Sequence, residues 1–201
     1  MHTYSFENLN EQMQPGRVYR RDMLLDFSKA VDRDLNALVK KGCVLKLAGG
    51  LYYKPAKSDF GILPPKDFDL VRCFLRDNDF LLYSWHYYNS LGVGLTQLYN
   101  RVVVLNYKRI GIFKFGNKEF EFRRPNHGFP SELTREYLLV DLVNNLNELA
   151  EDVSLVAQKI KNNLHQFDTK KVFLIAKKYG KVRTKHFFEE LEKLYVSSPV
   201  N

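Results

Sequence analysis

The spacing of apolar residues changes character within residues 18–54. Ala30, Val31, Leu35, Leu38 and Val39 recur at helical intervals and form one apolar stripe. Lys29, Arg33, Asn36 and Lys40 follow at steps of four, three and four, so they share the opposite face of the same helix. Ser28 stands ahead of the stripe and is placed to cap it, its hydroxyl accepting a free backbone N–H. Gly42 closes the helix, because a residue without Cβ tolerates left-handed backbone. Beyond it, residues 44–47, a Gly49-Gly50 turn and residues 51–54 read as a β-hairpin. Residues 18–25 predict a preceding helix, with Asp26 and Phe27 in the turn. Together these elements predict a winged helix-turn-helix over residues 1–57, opened by a short helix at 5–14 that Pro15-Gly16 stops.

The pattern differs further along. Residues 55–66 hold three prolines, a glycine and a serine. Each proline fixes φ and removes a donor, which predicts an extended linker, assigned to residues 58–66. A second domain is expected over residues 67–201. A helix is predicted at 67–77, a short strand at 80–83 and a helix at 85–91 ended by Gly92. The β-branched run 102–107 predicts a buried strand. Residues 110–115 and 119–123 flank Gly116-Asn117 and predict a hairpin. From residue 132 the spacing is helical, with Leu139, Leu142, Val143, Leu146 and Leu149 on one stripe. Helices follow at 153–164 and 170–179, and a last one runs to Leu194, capped by Thr184. The fold class is α+β: a winged helix-turn-helix, a mixed middle with a small antiparallel sheet, and a helical end.

Charge sharpens the picture. The 201 residues include 31 basic and 23 acidic side chains, a formal net charge of +8. Residues 1–57 hold 10 basic against 6 acidic side chains, so half of the excess lies in the first quarter of the chain. A basic balance favours a polyanionic partner by steering, without specifying a fold. With 45% hydrophobic residues a packed core is expected rather than disorder. Cys43 and Cys73, the two cysteines, have no zinc spacing and form no dense disulfide framework, which fits a reduced cytoplasmic protein. Residues 1–10 are polar, unlike a signal peptide. No apolar run approaches the ~18 residues of a membrane span, and no membrane partner is expected.

Duplex DNA is the expected partner. A helix fits the major groove, where arginine pairs bidentately with guanine and asparagine with adenine, each worth ~1–3 kcal/mol of discrimination. Arg33 and Asn36 hold the centre of the face and are assigned to bases. Lys29 and Lys40 suit phosphates, as do Ser28 and the first helical N–H groups. Arg20 and Arg21 are expected to touch the flanking backbone, and Lys46 and Lys54 to lie on the wing. Asp32, beside this face, either accepts a proton from cytosine N4 or orients Arg33.

Other clusters carry weaker chemistry. Arg101, Lys108, Arg109, Lys114, Lys118, Arg123 and Arg124 interleave with Tyr99, Tyr107, Phe113 and Phe115. Such a mixture holds single-stranded nucleic acid by stacking, or else the rings are core and the charges face water. Lys170, Lys171, Lys177, Lys178, Lys181, Arg183 and Lys185 form a third basic group, with little acid nearby in sequence; it suits DNA, an acidic protein or plain solvent. His86, His127, His165 and His186 lack metal-ligand spacing. Glu119 and Glu121 lie on a strand like the paired acids of metal nucleases, but Phe122 and Arg123 follow where a lysine is wanted, and Glu121 is expected to neutralise Arg123 or Arg124. No enzymatic activity and no cofactor are expected. A protein-interaction module for an acidic partner, and last a metal-dependent nuclease, are the alternatives to DNA binding.

The run Pro15-Gly16-Arg17-Val18-Tyr19-Arg20-Arg21-Asp22-Met23, the helix from Ala30 to Gly42, and Leu47-Ala48-Gly49-Gly50-Leu51-Tyr52-Tyr53-Lys54-Pro55 resemble AbiEi-type antitoxins. So do Phe60-Gly61 with Pro64-Pro65, Leu91-Gly92 through Leu95-Thr96-Gln97, and residues 172–191. Trp85-His86-Tyr87-Tyr88 departs from the family pattern, which has smaller residues there. The resemblance implies a winged helix that binds an operator with inverted repeats and represses its own operon. It further implies a C-terminal part that neutralises a nucleotidyltransferase-like toxin, without a stable complex, in the type IV mode.

Overall fold

The computed structural model describes residues 4–95 and 97–197; residues 1–3, Thr96 and 198–201 lie outside the described residues. The fold is mixed α and β, with small antiparallel sheets and C-terminal helices. It divides into two compact units, Met1–Phe80 with Gly111–Phe120 and Leu81–Ile110 with Glu121–Asn201.

The first unit opens with α1 (Tyr4–Gln12), β1 (Val18–Arg20), a 3-10 helix (Arg21–Phe27), α2 (Val31–Lys40), β2 (Leu45–Ala48) and β3 (Leu51–Tyr53). The three strands form an antiparallel sheet in the order β1-β3-β2, with Val18 opposite Tyr53 and Leu45 opposite the same residue on the other side. Leu9, Met13, Leu24, Leu35, Leu38 and Val44 are buried together beneath α2 and the sheet. Each such side chain contributes roughly 1.5–3 kcal/mol by leaving water.

Three local expectations are corrected here. Residues 18–25 are not one helix. Val18 and Tyr19 favour extended backbone and pair with β3, and only from Arg21 does the chain coil, as a 3-10 turn that takes in Asp26 and Phe27. The connection to α2 is therefore residues 28–30. Ser28 is not the helix cap: Ala30 holds that position with φ −130° and ψ 45°. The Ser28 hydroxyl accepts the Ala30 N–H at 3.0 Å and donates to Asp34 at 2.6 Å, which ties the turn to the buried side of the helix. Lys29 accordingly precedes α2 rather than riding on it.

The stretch expected as a linker is extended but paired. β4 (Ala56–Ser58) and β5 (Gly61–Leu63) form an antiparallel hairpin, and the Tyr53 hydroxyl donates to the Leu63 carbonyl at 2.7 Å. Pro55, Pro64 and Pro65 bracket the hairpin, outside the rungs that need an N–H. α3 (Asp67–Leu75) follows. The chain then leaves through β6 (Phe80–Ser84) and β7 (Val102–Asn106) and comes back as β8 (Gly111–Phe115) and the start of β9 (Lys118–Arg123). The returning hairpin packs Phe113 and Phe115 on Phe74, with ring centroids 4.9 and 4.8 Å apart, and the Gly116 N–H donates to the Leu47 carbonyl at 3.1 Å.

In the second unit β7 lies between β6 and the end of β9. The β7–β9 pair is parallel, Val103 opposite Glu121 and Leu105 opposite Arg123, so the sheet is not purely antiparallel as expected. β8 reverses the chain between them, and β9 then runs in the direction of β7. A 3-10 helix (Trp85–Leu91) ends at Gly92, whose φ of +73° favours a residue without Cβ. Four helices complete the unit: α4 (Arg135–Asn145), α5 (Val153–Asn163), α6 (Thr169–Tyr179) and α7 (Val182–Ser197). Thr134, Asp152 and Asp168 cap the first three through their side chains. Thr184 caps nothing: α7 starts two residues earlier, and Thr184 is buried within it. α4 is buried nearly all round, with Leu139, Leu142, Val103, Leu164, Val172 and Phe188 in one core. Among the described residues no helix is long and apolar enough to cross a membrane.

Candidate functional site

In the first unit α2 buries Val31, Asp34, Leu35 and Leu38 and turns Arg33, Asn36 and Lys40 to solvent, with Lys29 exposed just ahead of it. The Arg33 side chain is 60% exposed; its Nε lies 3.4 Å from the buried Asp34 carboxylate, a contact that steadies the stem and leaves the outer guanidinium edge open. Asp32 does not orient Arg33. It accepts two hydrogen bonds of 2.6 Å from Nε and Nη2 of Arg21, a fork-to-fork pair. The Arg21 hydrogen bonds hold the Asp32 carboxyl below its usual range and raise the guanidinium. The pair is electrically neutral as a unit, so the exposed face keeps the charges of Lys29, Arg33 and Lys40.

The remaining predicted contacts divide. Lys46 is exposed on β2, beside an irregularity of register between Lys46 and Ala48. Lys54 is half-buried and donates to the Asn10 side chain, which pulls it back toward α1. Arg20 is turned inward, donating to the Phe74 carbonyl at 3.2 Å and lying 3.4 Å from Asp22. Arg21 is engaged as described. Arg20, Arg21 and Lys54 are thus braces of the unit more than free anion ligands. Lys114 and Asn117, on the returning hairpin, are exposed in the same unit. No spacing rule links them to the Leu45–Tyr53 hairpin; the hydrogen bond from Gly116 to Leu47 on β2 does.

The second unit holds a cavity of about 540 Å³. Its floor is Asp141, 6% exposed, whose Oδ2 accepts the hydroxyls of Tyr83 and Tyr88 at 2.5 Å each. Asn145 donates to the Tyr88 hydroxyl at 3.3 Å and to the Asp141 carbonyl at 2.8 Å. Burial raises the Asp141 carboxyl above its usual range, while the two phenols, Arg123 and Lys181 pull it back. Burial and the same carboxylate push both phenols well above theirs. Arg123 donates to Glu121 at 2.8 Å and to Glu148 at 2.6 Å, and its guanidinium lies 5.2 Å from the Trp85 ring. Arg101 lies 4.3 Å from the same ring.

That arrangement settles much of the basic-aromatic cluster. Phe115 is buried, Arg101 and Arg123 are locked in ion pairs, and the Arg124 Nη2 donates to the Tyr107 carbonyl at 2.6 Å. Glu121 neutralises Arg123 as expected, and pairs with Arg101 at 3.4 Å as well. The third basic group has more acid about it than its sequence suggests. Lys171 pairs with Glu136 at 3.3 Å and Lys177 with Glu192 at 2.9 Å, partners brought from other helices. His86, His127, His165 and His186 are all exposed, and among the described residues no group of three or more His, Cys, Asp or Glu is arranged to hold a metal ion. Both cysteines are free thiols. No protein-family model matches the chain, and no curated protein matches it significantly.

Proposed function

We propose that the first unit is a winged helix-turn-helix that binds duplex DNA through α2, and that the protein is a sequence-specific transcriptional repressor acting in the cytoplasm. The exposed row of Lys29, Arg33, Asn36 and Lys40 carries this reading. The chain order α1, β1, 3-10 helix, α2, β2, β3, with strands arranged β1-β3-β2, supports it, since a helix presented ahead of a hairpin is how winged readers meet the groove. The neutral Arg21–Asp32 pair supports it too, because it removes a repulsive carboxylate from the helix start, where phosphate is otherwise favoured.

Arg33 and Asn36 read bases, and Lys29, Lys40 and Lys46 hold phosphates. Gel shifts on the region upstream of the protein's own gene, over a series of salt concentrations, test this. Arg33→Ala relaxes base preference by ~1–3 kcal/mol at one position, whereas Lys46→Ala weakens all duplexes alike and lowers the salt slope by about one. Binding indifferent to salt overturns phosphate-led recognition.

The order of segments resembling AbiEi antitoxins extends the proposal. The repressor then controls its own operon through inverted repeats, and the second unit neutralises a nucleotidyltransferase-like toxin. Growth arrest by the product of the adjacent gene, relieved by co-expression of this chain, tests the antitoxin role; arrest that persists overturns it.

A further inference from the structure

The cavity beside α4 joins features that its own packing leaves unused. Both Asp141 hydrogen bonds from the phenols fall on Oδ2, which leaves Oδ1 without one of these donors. Tyr137, 4% exposed, also lines the cavity; among the described residues its hydroxyl makes no hydrogen bond, while its ring meets Tyr179 edge-on at 5.6 Å. A carboxylate oxygen and a phenol hydroxyl therefore line the same cavity.

The rim has the opposite character. Arg123, Arg124, His127 and Lys181 line it. Arg123 is balanced by Glu121 and Glu148, so Arg124 and Lys181 supply the excess positive charge. Lys181 is held by the Asn144 carbonyl at 2.9 Å, and one bond from Arg124 to the Tyr107 carbonyl leaves most of its fork unspent. The rim loop is fixed in place. Tyr107 stacks on Phe129 at 5.2 Å, and Gly128, with φ +74°, passes so close that a Cβ there would lie 3.2 Å from the Tyr107 hydroxyl. Leu105, Ile110 and Pro125 give the walls between floor and rim an apolar surface.

We propose that this cavity binds a mononucleotide, with base N–H groups on Asp141, a base acceptor on Tyr137 and the phosphate on Arg124 and Lys181. The volume lies within the range of small-ligand sites. A free anion would satisfy only the rim, and a neutral base only the floor. The inference concerns the second unit alone and stands or falls apart from the DNA reading.

Calorimetric titration of the full chain with AMP, GMP, CMP and UMP, beside adenosine, guanosine, inorganic phosphate and glutamate, is the test. At least one mononucleotide binds, and binds about tenfold tighter than its nucleoside and than phosphate. Arg124→Ala, a change at an exposed position, weakens that nucleotide about tenfold and leaves the nucleoside unaffected. Asp141→Asn keeps an acceptor for the two phenols and offers an amide to the ligand, so it changes the order of preference among the four bases. Three results overturn the proposal: no heat with any nucleotide at millimolar concentration, phosphate or glutamate binding as tightly as every nucleotide, or nucleotide affinity untouched by Arg124→Ala.

Discussion

Arg33 on α2 and Asp141 on α4 are both charged side chains on helices, yet their surroundings differ in kind. Arg33 stands in solvent with one weak neighbour, and among the described residues Lys29 and Lys40 beside it make no ion pair. Asp141 is enclosed, and its neighbours Tyr83, Tyr88 and Asn145 are buried with it. Solvated charge is available to a partner at little cost to the fold, because surface charges contribute little to stability. Enclosed charge is expensive to disturb, since each lost partner strands another polar group out of water. The first arrangement suits a transient polyanion such as duplex DNA. The second suits a fixed core element that also presents a few atoms to a small ligand.

The sharpest way to break this contrast is Asp141→Ala. Two buried phenols lose their acceptor, and urea unfolding is expected to show a loss of about 2–5 kcal/mol. A loss below about 1 kcal/mol would make the network an ornament of the cavity rather than part of the core. Arg33→Ala is the matching change on α2. Stability holds within about 0.5 kcal/mol by the same assay, while the discrimination between operator bases falls as described above. Lower in size comes a pH effect. Burial works to raise the Glu148 carboxyl, and the hydrogen bonds and charge of Arg123 outweigh it, so its folded value lies below the usual one. A depressed carboxylate stabilises the fold above the unfolded value of about 4.3, and that contribution is lost as pH falls through the folded value. Glu148→Gln should flatten the acid limb of the stability curve in that window, followed by near-ultraviolet circular dichroism. Arg21→Ala is expected to have the smallest effect: it frees Asp32 at the start of α2, and duplex affinity falls by less than for Arg33→Ala in the same gel shifts.

The two regions also differ in how far they were legible. The stripe of Val31, Leu35 and Leu38 announced α2 because burial on one face imposes a helical period, and the period carries Arg33, Asn36 and Lys40 outward with it. Residues 18–20 were misread, since three residues are too few to show a two-residue alternation, and the partner that holds them extended lies some 30 residues on. The cavity escaped notice for a different reason. α4 is buried nearly all round, so it has no polar stripe to mark a face. One signal was present: Asp141, inside the apolar run Tyr137-Leu138-Leu139-Val140-Asp141-Leu142-Val143, and Asn145 one turn on are polar residues, and such residues are rarely buried without partners. What their partners were could not be read, because Tyr83 and Tyr88 come from more than 50 residues earlier.

From the sequence alone came α1, α2 with its exposed Arg33, Asn36 and Lys40, the hairpin after it, and most of the later helices and strands, all of which depend on neighbours a few residues apart. Tertiary structure alone decided that the hairpin Gly111–Phe120 completes the first unit, that Asp32 belongs to Arg21, that Lys54 folds back to Asn10, and that a carboxylate can remain at the floor of a cavity. Local periodicity reports which face of an element is dry. Which charge meets which, across dozens of intervening residues, is set only when the chain has closed and the cost of each unpaired group can be met.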